Sequence, residues 1–412
     1  MTFLLMRIVL CLFVCGGAAA FSAYPLSGLS STSRPLQKLF GWVQDKEGEW
    51  AWKEDDKSYV PAATTTVSLA ETTATPKLPS GSYRPKQSLG QNYLRDGNTV
   101  NKILRAFHAD AIRDRPTVGN VVELGPGAGA LTDKLVETYG TDIFQCIEID
   151  QRSVGLLTDK HPNLRIQHAD VLQVNYPELA KQEGQPLAVV GNLPYYITSQ
   201  ILFALADASH SGAVDCATVT MQWEVAQRMV AKTETKDYGI LSVVFQLYAD
   251  TNCHFKIPPT VFYPKPKVDS ALVGLHFLGP VRLRQRLAGV DPVNLRRVVT
   301  TSFQQRRKTV RNSLKKLARD LCQGDADQAR ELLDAPPLPL PWSVRQAMEA
   351  GDAFAKTQEL PANWASMRPE ELSSGQFVEL TRLFYGPADG NDKEPANLGS
   401  KVWRKLKHGS SE

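Results

Sequence analysis

The stretch Val121-Val122-Glu123-Leu124-Gly125-Pro126-Gly127-Ala128-Gly129 decides the fold of this chain. The β-branched apolar run 120–124 predicts a strand that ends at the glycines, and the apolar spacing over 131–139 predicts a helix. Glycine is needed where the backbone turns tightly and approaches a ligand closely. A strand, a glycine-rich turn and a helix are typical of doubly wound α/β folds, which bind nucleotides outside the carboxyl end of the first strand. A purely structural turn is the alternative interpretation.

Strands and helices alternate along the chain after this motif. The sequence predicts further strands over 144–149, 165–168, 187–190, 214–221 and 268–278. Strands that alternate with helices indicate a mostly parallel sheet with helices on both faces. The predicted fold class is therefore α/β, with a Rossmann-like domain over 83–280, a smaller all-helical C-terminal domain over 281–387 and a polar tail over 388–412.

The first 82 residues do not resemble a folded domain. Arg7 precedes a short apolar run, Ile8 to Cys15, which ends in small residues and is too short to span a membrane. Residues 21–41 contain five serines, two basic residues and no acid. We predict a signal peptide over 1–20 and a transit peptide and linker over 21–82. This arrangement resembles the bipartite presequence of algae with complex plastids and predicts the plastid stroma, with secretion and the mitochondrion as alternatives.

Cysteine spacing and charge distribution limit the classes of protein to which this chain can belong. The chain has six cysteines, with no Cys-x-x-Cys and no histidine at ligand spacing, which argues against a zinc site or a disulfide framework. The net charge of +4 is unevenly spread, because residues 281–319 hold twelve basic residues and one acid, Asp291. This imbalance favours binding to a nucleic-acid backbone over a merely solvated helix face.

Two acidic residues follow the second and third predicted strands. Glu148 lies 23 residues beyond Gly125, where a carboxylate can accept both ribose hydroxyls of a nucleoside. Asp170 can accept a hydrogen bond from an adenine amino group. Either acid alone is most often a solvated strand end. The glycine turn and both acids at successive strand ends together predict a nucleoside site.

The tetrapeptide Asn192-Leu193-Pro194-Tyr195 follows the fourth predicted strand and is the most specific local motif. The amino nitrogen of adenine is a poor nucleophile because its lone pair is delocalised into the ring. The Asn192 side-chain carbonyl and the Leu193 backbone carbonyl can accept its two protons and direct the lone pair towards a methyl sulfonium. Tyr195 offers a face on which an extruded base can stack, worth about 1–3 kcal/mol. A structural proline-containing loop is the alternative.

Taken jointly, these motifs resemble the ribosomal RNA adenine dimethyltransferases over residues 84–385. The segment Lys86 to Leu94 is similar to the family's N-terminal cofactor motif, and the segments Val261 to Ser270 and Phe303 to Lys308 match two later motifs. The resemblance implies an enzyme that uses S-adenosylmethionine to dimethylate N6 of two adjacent adenosines in the 3′-terminal loop of small-subunit rRNA. It also implies the small-subunit rRNA of the pre-ribosomal subunit as partner. We expect a monomer without membrane association once the presequence is removed.

The resemblance further implies three sets of site residues, with no metal. Phe262 would stack on the flipped adenine opposite Tyr195, and Gln91 and Asn92 would contact the methionine part of the cofactor. The implied catalytic residues are Asn192, Leu193, Pro194, Tyr195 and Phe262. The implied cofactor-binding residues are Gln91, Asn92, Leu94, Gly125, Gly127, Gly129, Glu148, Asp170, Val171 and Asn192. The implied RNA-binding residues are Arg306, Arg307, Lys308 and Arg311.

Two positions depart from the family pattern. Tyr93 replaces a phenylalanine, and Trp223 replaces a lysine or arginine. Trp223 either stacks on an RNA base or packs against a neighbouring loop, and the sequence leaves both open.

Three other functions remain as alternatives: a non-catalytic assembly factor of the same fold, an organelle transcription factor, and a resistance-type methylase of large-subunit RNA. The intact site residues favour an enzyme, and the plastid-type presequence weakens the transcription-factor reading. The long basic C-terminal region favours the small-subunit enzymes by fold analogy.

Overall fold

A computed structural model describes residues 41–44, 50–53, 76, 84–114 and 118–386. The predicted signal peptide (1–20), most of the transit and linker region (21–82) and the polar tail (388–412) lie outside the described residues.

The described residues form strands and helices in alternation up to Phe277 and helices thereafter. The strands are β1 (Gly41–Gln44), β2 (Trp50–Lys53), β3 (Tyr93–Leu94), β4 (Asn120–Leu124), β5 (Phe144–Glu148), β6 (Arg165–His168), β7 (Leu187–Asn192), β8 (Val214–Gln222), β9 (Ala249–Ile257), β10 (Phe262–Tyr263) and β11 (Ser270–Phe277). The α-helices are α1 (Gly97–Ala111), α2 (Thr132–Tyr139), α3 (Gln151–Lys160), α4 (Tyr176–Glu183), α5 (Thr198–Ser209), α6 (Trp223–Val230), α7 (Ile240–Tyr248), α8 (Gly279–Arg286), α9 (Pro292–Phe303), α10 (Val310–Leu321), α11 (Ala326–Leu333), α12 (Trp342–Glu349) and α13 (Ser374–Tyr385).

Seven strands form one sheet in the order β6-β5-β4-β7-β8-β11-β9. Strands β6, β5, β4, β7 and β8 pair in parallel, whereas β11 pairs antiparallel with both β8 and β9. This topology confirms the Rossmann-like α/β prediction. All five residues of β4 are buried because helices cover both faces of the sheet around this central strand.

The sequence missed strand β9, the short paired strands β3 and β10, and the hairpin of β1 and β2. Strand β9 contacts one neighbour in the sheet, β11, and carries polar residues at most positions, including Asp250, Asn252 and Lys256. An edge strand needs no continuous apolar run, so its pattern does not stand out. The hairpin pairs Trp42 with Trp52 in an antiparallel register. It lies within the region that the sequence assigned to the transit peptide and linker.

The C-terminal helices share a hydrophobic core with one face of the sheet. Phe245 of α7 and Val219 of β8 belong to the same buried cluster as Leu295 of α9 and Phe377 of α13. Within this cluster, the rings of Phe303 and Phe377 lie 5.7 Å apart. The helical region predicted after residue 280 is therefore present, and its core is continuous with that of the sheet.

A buried polar cluster joins α1 to the antiparallel side of the sheet. The Asp110 carboxylate lies 2.8 Å from His254 Nε2 and 3.0 Å from His276 Nε2, and it accepts a hydrogen bond from Thr218 Oγ1. Burial raises the pKa of Asp110, but the hydrogen bonds from both histidines outweigh it and hold the pKa well below its usual range. The cluster therefore stabilises the docking of α1 through an ionised carboxylate.

We expect Asp110→Asn to lower the free energy of unfolding at pH 7 by about 3 kcal/mol, because it removes a buried charge with several partners. A depressed folded pKa means that this contribution is present above the ordinary pKa near 3.8 and is lost as pH falls through the folded pKa. Urea unfolding from pH 7 down to pH 3 measures the difference in free energy at neutral pH and the beginning of its loss below the ordinary pKa; the loss is completed only at more acidic pH. The exposed Asp159→Asn variant is the matched control and should change the free energy by less than about 0.5 kcal/mol. Equal unfolding curves for wild type and Asp110→Asn would contradict the stabilising role.

The four described cysteines, Cys146, Cys216, Cys253 and Cys322, are buried, and none of the four forms a disulfide. Within the part of the chain that the structure describes, no helix is long and apolar enough to cross a membrane, and no group of three or more His, Cys, Asp and Glu side chains could hold a metal ion.

Candidate active site

A pocket lies at the carboxyl edge of the parallel strands, where the strand order reverses. From β4 the chain continues to β5 and β6 on one side and then returns to β7 on the other, and such a switch point is where open α/β sheets bind ligands. The pocket is lined by most of the predicted catalytic and cofactor-binding residues. The predicted residues found in the lining are Gln91, Asn92, Leu94, Gly125, Gly127, Glu148, Asp170, Val171, Asn192, Leu193, Pro194 and Tyr195.

The glycine turn after β4 has a steric requirement at its second glycine. Gly127 has a φ of 55°, which disfavours residues with a side chain. A Cβ atom there would also lie 2.7 Å from Tyr93 Cε1. The turn therefore packs directly on the N-terminal motif, and the Gly127 N–H points to the end of the next strand, where it donates to Glu148.

Two of the predicted catalytic and cofactor-binding residues, Gly129 and Phe262, are not part of the pocket lining. Gly129 has a φ of 86°, and a Cβ atom there would meet Leu157 Cδ2 at 2.7 Å, so this glycine permits close packing against α3. Phe262 is 3 % exposed and belongs to an apolar cluster with Leu94 and Val100. In the structure Phe262 therefore contributes to the core beside the pocket and does not present a face to it.

Glu148 is the last residue of β5 and lines the pocket. Its Oε2 accepts a hydrogen bond of 2.9 Å from Gly127 N–H, and its Oε1 accepts one of 2.8 Å from Asp150 N–H. Burial raises the pKa of Glu148, and the two N–H donors oppose this shift. Each carboxylate oxygen retains acceptor capacity, so the side chain can still accept two hydroxyl groups of a ribose.

Asp150 ties the N-terminal motif to the end of β5. Its carboxylate accepts hydrogen bonds from Arg152, from Gln91 Nε2 at 3.0 Å and from Lys86 Nζ at 3.2 Å. The Arg152 hydrogen bonds, supported by those of Gln91 and Lys86, hold the pKa of Asp150 well below its usual range. The Gln91 Oε1 atom accepts from Tyr93 OH and Lys86 N–H. The Gln91 amide thus holds the N-terminal motif over the pocket through protein contacts.

Asp170 follows β6 and is the third part of the predicted nucleoside site, after the glycine turn and Glu148. Its Oδ1 accepts a hydrogen bond of 2.9 Å from Leu172 N–H, and the side chain is half-buried in the pocket wall. Val171 and Leu172 add apolar lining next to it. A carboxylate beside apolar side chains suits an adenine ring, which has a polar edge and two apolar faces.

Asn192 is the last residue of β7 and is held on both sides. Its Nδ2 donates to the Asn92 backbone oxygen at 2.7 Å, and its Oδ1 accepts from the hydroxyl of Thr220, the residue opposite it on β8. The two contacts fix the amide orientation, and Oδ1 keeps a second lone pair for a ligand N–H. The strand extends two residues beyond the predicted end at Val190, which gives Asn192 this fixed register.

Tyr195 is anchored at its hydroxyl. Its OH lies 2.6 Å from Ser270 Oγ at the start of β11. Burial raises the pKa of Tyr195, which keeps the phenol neutral. The ring lines the pocket, and Tyr196 beside it is 60 % exposed at the pocket mouth. The anchored ring of Tyr195 is the aromatic face that the structure presents to a ligand.

The predicted RNA-binding residues divide into two pairs. Arg306 donates to the backbone oxygens of Lys236 and Tyr238, and Arg311 forms an ion pair with Asp334 at 2.7 Å. Arg307 and Lys308 are exposed in the turn between α9 and α10. Arg306 and Arg311 thus also stabilise the helical region.

Trp223 begins α6, and the structure shows that it packs against its surroundings. The side chain is half-buried against the main hydrophobic cluster, and the Lys256 ammonium lies 5.4 Å from its ring centroid. This is the packing that the sequence offered as one alternative.

Sequence reasoning assigned no role to Asp150, Thr220 or Tyr196. Asp150 had a local signal, because it follows Glu148 by two residues at the same strand end. Thr220 reaches Asn192 through strand pairing, which no local pattern shows.

The fold and the pocket define a methyltransferase of the Rossmann-like class. The family described as "Ribosomal RNA adenine dimethylase" matches residues 83–328. The chain belongs to this family.

Individual relatives agree with this assignment. A protein of Salinibacter ruber named "Ribosomal RNA small subunit methyltransferase A" is 43% identical over 312 residues, which cover 74% of this chain and 87% of the relative. A protein of the same name from Chlorobium luteolum is 36% identical over 69% of this chain and 93% of its own. The crystal structure of a dimethyladenosine transferase from Plasmodium falciparum superposes with a TM-score of 0.50 and 22% identity, covering 70% of this chain and 95% of that one. At 22% identity, this structural similarity is evidence for the fold alone.

Proposed function

We propose that this enzyme transfers methyl groups from S-adenosylmethionine to N6 of two adjacent adenosines in the 3′-terminal loop of small-subunit rRNA, giving N6,N6-dimethyladenosine. The observation that carries the proposal is the fixed amide of Asn192 beside the anchored ring of Tyr195, in a pocket that Glu148 also lines. Membership of the family and the names of its relatives support the rRNA substrate.

The pocket residues fit S-adenosylmethionine, which supplies an electrophilic methyl group when bound. Glu148 would accept hydrogen bonds from the ribose hydroxyls, and Asp170 would accept one from the adenine amino group. Gly127 lines the same pocket, and because it has no Cβ atom the Tyr93 ring can pack directly on the turn. Asn92, in the segment that Asp150 holds through Gln91, borders the same pocket.

The target adenine is oriented by the Asn192-Leu193-Pro194-Tyr195 motif. Asn192 Oδ1 and the Leu193 backbone oxygen would accept hydrogen bonds from the two amino N–H groups, which directs the nitrogen lone pair towards the methyl group. Tyr195 stacks on the ring and limits its rotation. No strong general base is needed, because the amine loses its proton readily once it carries the new methyl group.

The test measures dimethyladenosine in plastid small-subunit rRNA by mass spectrometry after depletion of the protein. Wild-type protein should restore the modification, and Asn192→Ala should not, although it binds the same particles. A non-catalytic assembly factor would leave the modification intact after depletion. Dimethyladenosine that persists at full level would overturn the proposed function.

RNA binding should depend steeply on salt, because the basic region 281–319 would neutralise phosphates. The double substitution Arg307→Ala and Lys308→Ala should reduce the slope of log K against log salt by about 1 to 2, since each phosphate contact contributes about 0.7–0.9. Filter binding of small-subunit rRNA between 50 and ~200 mM salt measures the slope. The exposed Lys181→Ala on α4 is the control. A flat salt response of the wild type would argue against a phosphate-contact surface.

The proposed place of action is the plastid stroma, and the proposed form is a monomer that acts on the pre-ribosomal subunit. The composition of residues 1–41 supports the location. Fluorescent fusions of the full chain and of a variant without residues 1–20 test it. The first should enter the plastid and the second should not, and secretion or mitochondrial import of the full chain would refute the location.

A further inference from the structure

A second concave surface lies beside the catalytic motif on the same edge of the sheet. This cleft, here called the Trp223 cleft, has a volume of about 330 Å³ and is lined by Gln222, Trp223, Glu224, Pro259, Lys267, Val268 and Asp269. Its residues come from the end of β8, the start of α6 and the loops that precede β10 and β11. The end of β8 is next to the end of β7, where Asn192 lies.

Hydrogen bonds connect the Trp223 cleft directly to the proposed base-binding tyrosine. Ser270 pairs with Gln222 across the strands, and its hydroxyl lies 2.6 Å from Tyr195 OH. The Trp223 N–H donates to the Asp269 backbone oxygen at 3.0 Å. Ser270 therefore follows the lining residue Asp269, pairs with the lining residue Gln222 and contacts Tyr195 of the catalytic motif.

The lining has the chemical groups that bind a nucleobase. Trp223 supplies an aromatic surface, flanked by Pro259 and the 44 % exposed Val268. Gln222 carries an amide that can both donate and accept hydrogen bonds, and Lys267 adds a positive charge. Aromatic stacking together with a nearby cation is the usual basis of single-stranded RNA binding.

The two acids of the cleft are balanced by cations. Asp269 forms an ion pair with Lys256 at 2.7 Å, and Glu224 forms one with Arg228 on the same helix. The Lys256 ammonium also lies 5.4 Å from the centroid of the Trp223 ring, which itself lines the cleft. A phosphate backbone can therefore approach without meeting unpaired carboxylates.

We propose that the Trp223 cleft binds an unpaired nucleobase of the RNA, one that flanks the adenosine in the catalytic pocket. The inference rests on the proposed function and adds a second base site to it. An adenosine that enters the pocket must leave its stack in the loop. A second base held on Trp223 replaces the stacking lost by its neighbour and sets which adenosine faces Asn192.

The experiment uses the full chain and an RNA hairpin of the 3′-terminal loop, with 2-aminopurine placed in turn at each position that flanks the target adenosines. Wild-type protein should quench the fluorescence at one position, because the probe stacks on Trp223. Trp223→Ala should remove the quenching and lower kcat/KM for methylation of small-subunit particles about 5- to 150-fold, as expected for the loss of about 1–3 kcal/mol of stacking. Trp223→Phe should retain most of the fluorescence quenching and most of kcat/KM, because phenylalanine keeps an aromatic ring.

Two further variants separate a binding role from a packing role. Val268→Glu changes an exposed lining residue that lies outside the core, and it should weaken quenching and methylation without lowering the melting temperature. Trp342→Ala is the matched control, because this tryptophan is 63 % exposed on α12, outside the lining of the cleft, and its removal should change neither readout.

The outcomes distinguish the two proposals. Wild-type enzyme that methylates the particles but shows no quenching at any flanking position overturns the second base site and leaves the proposed function standing. If methylation and quenching are unchanged in both Trp223→Ala and Val268→Glu, the second base site is likewise overturned and the proposed function still stands. Failure of the wild-type enzyme to form dimethyladenosine in the particles overturns the proposed function itself.

Discussion

Asn192→Ala should lower kcat for adenosine methylation about 100- to 1,000-fold, the range expected when one preorganised hydrogen-bonding group is removed from a reacting centre. The reason is that alanine cannot accept an amino proton, so the nitrogen lone pair stays delocalised in the adenine ring. Single-turnover methylation of small-subunit particles measures the chemical step. The dissociation constant of S-adenosylmethionine, measured by calorimetry, should change less than about tenfold, because only the link from Asn192 to Asn92 is lost on that side.

Two variants give this prediction its controls. Asn175→Ala removes an asparagine that caps α4 outside the pocket lining, and it should leave kcat unchanged. Thr220→Val removes the hydroxyl that donates to Asn192 Oδ1 and keeps the side-chain shape. A loss of one such hydrogen bond, about 0.5–1.5 kcal/mol, corresponds to a decrease in kcat of about 2- to 10-fold. A kcat for Asn192→Ala equal to that of wild type would contradict the role of the amide.

Glu148→Gln should weaken S-adenosylmethionine binding about 10- to 150-fold at pH 7. The carboxylate uses both oxygens to hold Gly127 N–H and Asp150 N–H, and it must also accept the ribose hydroxyls. An amide has one acceptor oxygen, so one hydrogen bond to a charged group is lost, and such a bond contributes about 1.5–3 kcal/mol. Calorimetric titration of the variant with S-adenosylmethionine measures the change.

Glu123 provides the matched control, because it is a second buried carboxyl on the neighbouring strand. Burial raises its pKa to about 8, although a hydrogen bond from Thr132 opposes this. Glu123 is therefore neutral at pH 7, and Glu123→Gln replaces one neutral acceptor by another. Its effect on cofactor affinity should stay below about threefold, since about 0.6 kcal/mol is the variation expected of a conservative exchange. Equal losses of affinity in both variants would indicate a general collapse of the pocket.

The raised pKa of Glu123 also has a consequence for stability. The folded protein keeps the proton up to about pH 8, whereas the unfolded chain releases it near 4.5. The unfolded state thus binds fewer protons between these values, and the contribution of Glu123 to stability decreases as pH rises through that window. Glu123→Gln lacks this titration, so its unfolding free energy should fall less than that of wild type between pH 5 and ~8.

Local sequence determined the fold class and the main parts of the site. The Gly125 to Gly129 turn, Glu148, Asp170 and the Asn192 motif were predicted from the strands they follow, and the strands lie within two residues of the predicted ends. The reason is that parallel strands place their carboxyl ends at one edge of a sheet, so the order of the motifs along the chain already implies that they meet. Family resemblance then added Gln91 and Asn92, which do line the pocket.

Tertiary structure alone decided which groups hold these residues in place. The contacts of Thr220 with Asn192 and of Ser270 with Tyr195 depend on the register of β8 against β7 and β11. The link from Gln91 to Asp150 spans 59 residues. Phe262 was expected in the site but is buried beside it, because its pairing with Leu94 directs it into the core. Hydrogen bonds and packing between residues far apart in the chain depend on exact position in three dimensions, whereas local patterns carry only residue type and spacing.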